Sequence, residues 1–227
     1  MRRLGSALAV VAVFAAGVLL HAWLASRVAA HRITGGEAGI ECIGRGSTHV
    51  VYLHGIDSLG PSWQELENRQ TIARLAEELD LAVAVPRASR PCPSPSSRCW
   101  ADDTLSAIRT AARHCFGTPA TVGAVAFSNG AFALGAAYQR CQATELAWVA
   151  LGGGGAVGDG IAADLTGCGR IAIAMGTNDR HHRHFATDFV AALRARHARV
   201  ELVEFDGGHR FDYAAMHAVL ASLVGKR

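Results

Sequence analysis

Three residues whose types together activate a hydroxyl occur in one order along this chain, each just after an apolar run. Ser128 ends "VGAVAF" and precedes Asn129 and Gly130, Asp179 follows "RIAIAMGTN", and His209 follows "VELVEFDGG". A serine hydroxyl is a weak nucleophile until an imidazole takes its proton. A carboxylate on the other ring nitrogen fixes the tautomer and stabilises the cation that forms. The pattern small-x-Ser-x-Gly, here Ala126 to Gly130, suits a serine held on a strained turn between strand and helix. Each residue also has a plain reading: Ser128 as a helix N-cap, Asp179 as a cap or solvated loop acid, and His209 as a surface histidine. Asp57 and Asp206 compete with Asp179. Asp206, however, lies three residues before His209, a poor position for an independent strand-end partner.

Such a constellation needs elements that bring distant residues to one edge. Short apolar runs at 49–53 ("HVVYL"), 81–86, 121–127, from 146 ("LAWVALGGGG"), from 170 and from 199 read as buried strands. Between them, 63–79, 103–115, 129–141, 185–196 and 213–224 read as helices, and "GIECIG" around Cys42 is a candidate edge strand. Strands alternating with helices predict an α/β fold, a mostly parallel sheet with helices on both faces. In such a sheet, ligands bind at the carboxyl ends of the strands, where Ser128, Asp179 and His209 are all expected.

A length of 227 residues suits one catalytic-size domain once the N-terminus is set aside. Arg2 and Arg3 precede an uncharged stretch at 4–26, followed by Arg27 and by Ala29 and Ala30 at a candidate cleavage site. Residues 1–30 are therefore read as a signal peptide or an uncleaved membrane anchor, with both alternatives open, and 31–227 as the domain. Either way the basic N-terminus predicts export: a periplasmic, secreted or membrane-anchored domain. The six cysteines, all downstream, suit an oxidising compartment. Cys92 with Cys99 and Cys141 with Cys168 are the candidate pairs, against buried free thiols. The three arginines of 1–30 account for the net charge of +3, leaving 19 basic groups against 19 acidic ones. That balance offers no electrostatic case for nucleic acid. Composition does not speak to oligomeric state.

The ordered set "HG" at His54, "CW" at Cys99, "FSNGA", "GTND" and "GGH" resembles the α/β-hydrolase superfamily, which shares the chain order Ser, Asp, His. Within it the set is similar to the secreted esterases that include polyhydroxybutyrate depolymerases and feruloyl esterases, over 49–211. The resemblance implies an α/β-hydrolase fold without a large cap and a catalytic triad of Ser128, His209 and Asp179. It also implies an oxyanion hole from the backbone N–H groups of Ile56 and Asn129. The chain departs in having Ala126 and Ala131 where those enzymes commonly have glycine, and in leaving no room for an added binding module. Those departures weigh against polymer substrates more than against ester hydrolysis. The implied substrate is a small or oligomeric ester.

His54, Trp63 and Trp100 are candidates to line the substrate pocket; loop shaping competes for His54 and core packing for the tryptophans. The run "DRHHRH", with His181, His182 and His184, invites a metal reading, but it lacks nearby cysteine or acid ligands at an established spacing. Neither metal nor organic cofactor is expected, because triad chemistry requires none. The same triad serves peptidases, thioesterases and lactonases, and a binding module on the same fold is the reading from another class.

Overall fold

The computed structural model describes residues 32–33, 39–58, 62–92, 97–120, 123–156, 158 and 160–225, with residues 32, 33, 57 and 58 described by backbone alone. The segment 4–26, read as a signal or anchor, lies outside them. Among the described residues, no helix is long and apolar enough to cross a membrane.

The strands are β1 (Arg32–Ile33), β2 (Glu41–Ile43), β3 (Thr48–Leu53), β4 (Asp57–Ser58), β5 (Leu81–Val85), β6 (Arg90–Pro91), β7 (Ser97–Cys99), β8 (Gly123–Phe127), β9 (Trp148–Gly152), β10 (Arg170–Gly176) and β11 (Arg199–Phe205). Among the described residues the helices are α1 (Trp63–Glu78), α2 (Thr104–Phe116), α3 (Asn129–Gln139), α4 (Arg183–Arg194) and α5 (Tyr213–Val224). Eight strands form one sheet in the order β1-β2-β5-β3-β8-β9-β10-β11. From β5 to β11 all neighbours are parallel, and β2 runs antiparallel to β5 as the edge extension expected around Cys42.

The continuous apolar runs follow from burial on both faces. Every residue of β5, β8 and β9 is buried. Because side chains alternate along a strand, Val51, Leu53, Ala126, Leu151 and Ile173 pack on one side against Ile108 of α2, Leu134 of α3 and Phe189 of α4. Tyr52, Val125, Phe127 and Ala174 pack on the other against Ile72 and Leu75 of α1 and Met216 and Leu220 of α5. Each such large side chain contributes about 1.5–3 kcal/mol by leaving water.

Helix ends follow local chemistry. Ser62 caps α1 by accepting from Glu65 N at 3.1 Å, and Asp212 caps α5 by accepting from Ala215 N at 3.1 Å. Helix α4 starts at Arg183, two residues before the expected 185. The two added residues, Arg183 and His184, are polar and carry no apolar period to read.

The small sheet β4-β7-β6 was not anticipated, since two- and three-residue strands around a proline show no alternation. Cys92 and Cys99 are joined across its hairpin, and Cys141 joins Cys168. The remaining pair, Cys42 with Cys115, ties β2 to α2 across 73 residues. On the chain-entropy view that link contributes about 4 kcal/mol.

Candidate active site

Strand β8 carries five buried residues straight into Ser128, whose backbone sits at φ 51°, ψ −118°. A non-glycine residue there costs on the order of 1–3 kcal/mol, so its surroundings must hold it. They do: Ser128 N donates to Gly152 O at 2.9 Å, and Ser128 O accepts from Phe132 N at 3.0 Å. Although Ser128 occupies the N-cap position of α3, its side chain makes no capping bond. Gly130 serves close approach. A Cβ there would lie 2.6 Å from His54 O and 2.7 Å from Leu53 O, so only glycine lets α3 start against the end of β3.

The Ser128 hydroxyl points to His209, with Oγ 2.9 Å from Nε2. On the ring's other side, Nδ1 lies 2.7 Å from Asp179 Oδ2. An ionised carboxylate only accepts, so Nδ1 carries the hydrogen and Nε2 presents its lone pair to the serine. Three strand ends thus deliver one unbroken chain, Asp179 to His209 to Ser128. The ring of His209 is supported from below by Phe127, 5.0 Å between centroids, and by Gly153 at φ 61°. A Cβ at Gly153 would come within 2.9 Å of His209 Cε1. From α1, Gln64 Nε2 donates to His209 O at 2.9 Å.

Asp179 is buried. Burial pushes its carboxyl up, but the bonds from His209 and His182 outweigh that and hold it below the ordinary carboxylate range. For His209, burial comes first and pushes the imidazole down. The Asp179 bond opposes it and the nearby His182 reinforces it, leaving His209 below the usual histidine value. The competing acids stand elsewhere: Asp206 is exposed and accepts from Asn178 Nδ2 at 3.0 Å, and the side chain of Asp57 lies outside those described.

The turn after β3 passes over Ser128, since a Cβ on Gly55 would lie 3.2 Å from Ser128 Cβ. Buried His54 fixes that turn. Its Nε2 accepts from Ala88 N at 3.0 Å, so Nδ1 donates to Gly55 O at 2.6 Å. Trp100, also buried, donates from Nε1 to His54 O at 2.8 Å and from its backbone N to Asn129 Oδ1 at 2.7 Å. Both side chains are therefore bonded into the framework around the Gly55–Ile56 turn, whereas Trp63 and Ile56 stand 82% and 59% exposed at the surface. The Asn129 N–H is the first amide of α3, one of those that helix geometry leaves without an intrahelical acceptor.

Sequence reasoning did not single out Gln64, or His182 as part of the site. His182 donates to Asp179 Oδ1 from its backbone N at 3.2 Å and from its ring Nδ1 at 3.0 Å. Its signal was available: three residues past an acid, at a helix start, a side chain folds back onto that acid. His181 instead packs edge-on against His182 at 4.8 Å between centroids, and His184 lies tilted against Phe185 at 3.9 Å. Among the described residues, Asp179, His182 and His209 bring potential metal-ligand atoms within 4.8 Å of one another. Their arrangement does not suit an ion. The two imidazoles are stacked with planes 26° apart, so their in-plane lone pairs run side by side, and both Nδ1 atoms are committed to the carboxylate.

No family model and no curated protein sequence matches the chain. Solved structures do. The carboxylesterase of Bacillus cereus superposes with a TM-score of 0.63 at 18% identity, covering 82% of this chain and 94% of that one. A carboxylesterase from Mesorhizobium loti gives 0.63 at 16% identity over 87% and 100%. Zea mays acyl-protein thioesterase 2 gives 0.57 at 17% identity over 82% and 99%. With a mostly parallel sheet of this order, helices on both faces and no cap domain among the described residues, the chain has the α/β-hydrolase fold.

Proposed function

We propose that this protein is a serine hydrolase that cleaves carboxylic esters through an acyl-enzyme, acting outside the cytoplasm. The observation that carries the reading is the continuous Asp179–His209–Ser128 hydrogen-bond chain ending on a serine held at positive φ. Ser128 Oγ attacks the ester carbonyl as His209 Nε2 takes its proton, and Asp179 stabilises the imidazolium. The negative charge that grows on the carbonyl oxygen is met by the N–H groups of Ile56 and Asn129, each worth about 3 to 4 kcal/mol in the transition state. His209 returns its proton to the departing alcohol, then activates a water that attacks the acyl-enzyme and frees the acid. The three disulfides and the N-terminal segment 1–30 support export.

A thioester reading has its own support, since one of the structural neighbours is an acyl-protein thioesterase. The deciding experiment is hydrolysis of a p-nitrophenyl ester series of increasing acyl length, with matched thioesters, by residues 31–227 and by Ser128→Ala. The expected result is ester turnover that Ser128→Ala abolishes. Thioester turnover exceeding ester turnover at every length favours the second reading. Turnover that survives Ser128→Ala overturns both.

A further inference from the structure

Asp179 holds two histidines. Its Oδ2 receives His209, while Oδ1 receives both the backbone N and the ring Nδ1 of His182. The His182 ring then lies flat on His209, with centroids 4.1 Å apart and planes 26° apart. Beyond it stands Phe132, 6.0 Å between centroids, one turn after Ser128 on α3. His182 is thus wedged between the general base and the helix that begins at the nucleophile, held by two hydrogen bonds and by ring contacts to His209, Phe132 and His181.

We propose that His182 is a positioning residue of the triad, fixing the plane of the Asp179 carboxylate and setting the pH at which His209 works as a base. The proposal rests on the serine-hydrolase reading above. A carboxylate with one oxygen free can rotate and weaken its grip on the base; with His182 on Oδ1, rotation breaks bonds at both ends. The stacked ring also blocks the swing of His209 toward α3.

Charge acts in the same direction. Among the described residues, the titratable groups whose charge acts most strongly at His209 are Asp179, His182 and His181, all from the segment after β10. Ser128 and Phe127 face it from β8 and the turn after it, Gly153 from the end of β9 and Gln64 from α1, none of them charged. When neutral, His182 shares the negative charge of Asp179. When protonated, it sets a like charge at stacking distance from the imidazolium that forms on His209. Both effects disfavour a proton on His209, in line with the lowering in which His182 takes part after burial.

Two variants separate these roles. His182→Asn retains a donor at the position of Nδ1 but removes the ring and its charge; His182→Phe retains a stacked ring and removes the donor and the charge. The test follows the His209 ring nitrogens by NMR across a pH titration in native protein and both variants, alongside pH profiles of kcat and KM. Both variants are expected to raise the His209 titration midpoint and the acid limb of kcat/KM together, by about 0.5 to 1 pH unit, or three- to tenfold in activity on that limb. Above the limb kcat falls more in His182→Phe than in His182→Asn, with KM unchanged, because His182 bonds the acid and not the substrate. Folded variants with an unmoved His209 midpoint and native kcat overturn the proposal. Should native protein show no Ser128-dependent turnover, the hydrolase reading fails, while the ring titration still decides whether His182 governs His209.

Discussion

Two of the hydrogen-bonded chains of ionisable side chains in the described residues differ in kind. One runs from Tyr52 Oη to Glu65 Oε2 at 3.2 Å, from Arg69 Nε to Glu65 Oε1 at 3.0 Å, and from Arg69 Nη1 to Glu41 Oε2 at 2.9 Å. The other is His182 and His209 on Asp179, with Ser128 at its end. The first sits on regular backbone, mid-strand in β3 and one turn apart on α1, with a guanidinium set between two carboxylates. The second hangs on strand ends and one strained turn. Among the described residues no arginine or lysine bonds Asp179; its carboxylate is met by two imidazoles and one backbone N–H, none of them a permanent charge. A permanent countercharge freezes a chain into scaffold; without one, and with a hydroxyl at its end, the same kind of bonding can move a proton.

Breaking the second chain is expected to cost rate and little stability. Ser128→Ala should reduce ester kcat/KM by about 10⁴-fold or more while leaving the denaturant midpoint near native, as steady-state kinetics and urea unfolding would report. Asp179→Asn should lower kcat by about 10⁴-fold, since an amide no longer enforces the Nδ1–H tautomer. A native-like kcat for Asp179→Asn would remove Asp179 from the mechanism.

Breaking the first chain should do the reverse. Glu65→Ala leaves the Arg69 guanidinium with one carboxylate fewer and Tyr52 without its acceptor. An unfolding free energy lower by about 3 kcal/mol is expected, with kcat per folded molecule unchanged. A large kcat loss in folded Glu65→Ala would erase the distinction between the chains.

Their pH responses sharpen the contrast. On the proposed mechanism, as pH falls through the lowered pKa of His209 the imidazole takes up a proton, can no longer accept the Ser128 proton, and activity is lost. The acid midpoint of kcat/KM is therefore expected below about 6.5. The phenol of Tyr52 is raised well above 10.0, first by burial and then by Glu65. A raised folded-state value means stability that is full below the unfolded value and is lost as pH rises beyond it. Unfolding free energy should decline above pH about 10, and Tyr52→Phe should flatten that decline.

The sequence exposed what depends on pattern. Unbroken apolar runs marked the parallel strands, since "GAVAF" and "RIAIAMG" are buried on both faces, and their ends pointed to Ser128, Asp179 and His209. What it hid depends on distance across the fold. Nothing local to Trp100 says that its indole bonds His54 O, 46 residues away. His182 was visible only as one of a histidine cluster, because stacking on His209 needs β10 and β11 side by side. The third disulfide, Cys42 with Cys115, was not among the expected pairs, because its partners lie 73 residues apart with no local signal to join them.

The most direct test is intact-mass analysis of oxidised residues 31–227 after treatment with a fluorophosphonate, on native protein and on Ser128→Ala. A single covalent adduct on the native protein, absent from Ser128→Ala, is the predicted result, because only a hydroxyl activated by His209 attacks phosphorus at neutral pH. A folded native protein that takes up no adduct, or a Ser128→Ala variant labelled as fully as the native, would contradict the account.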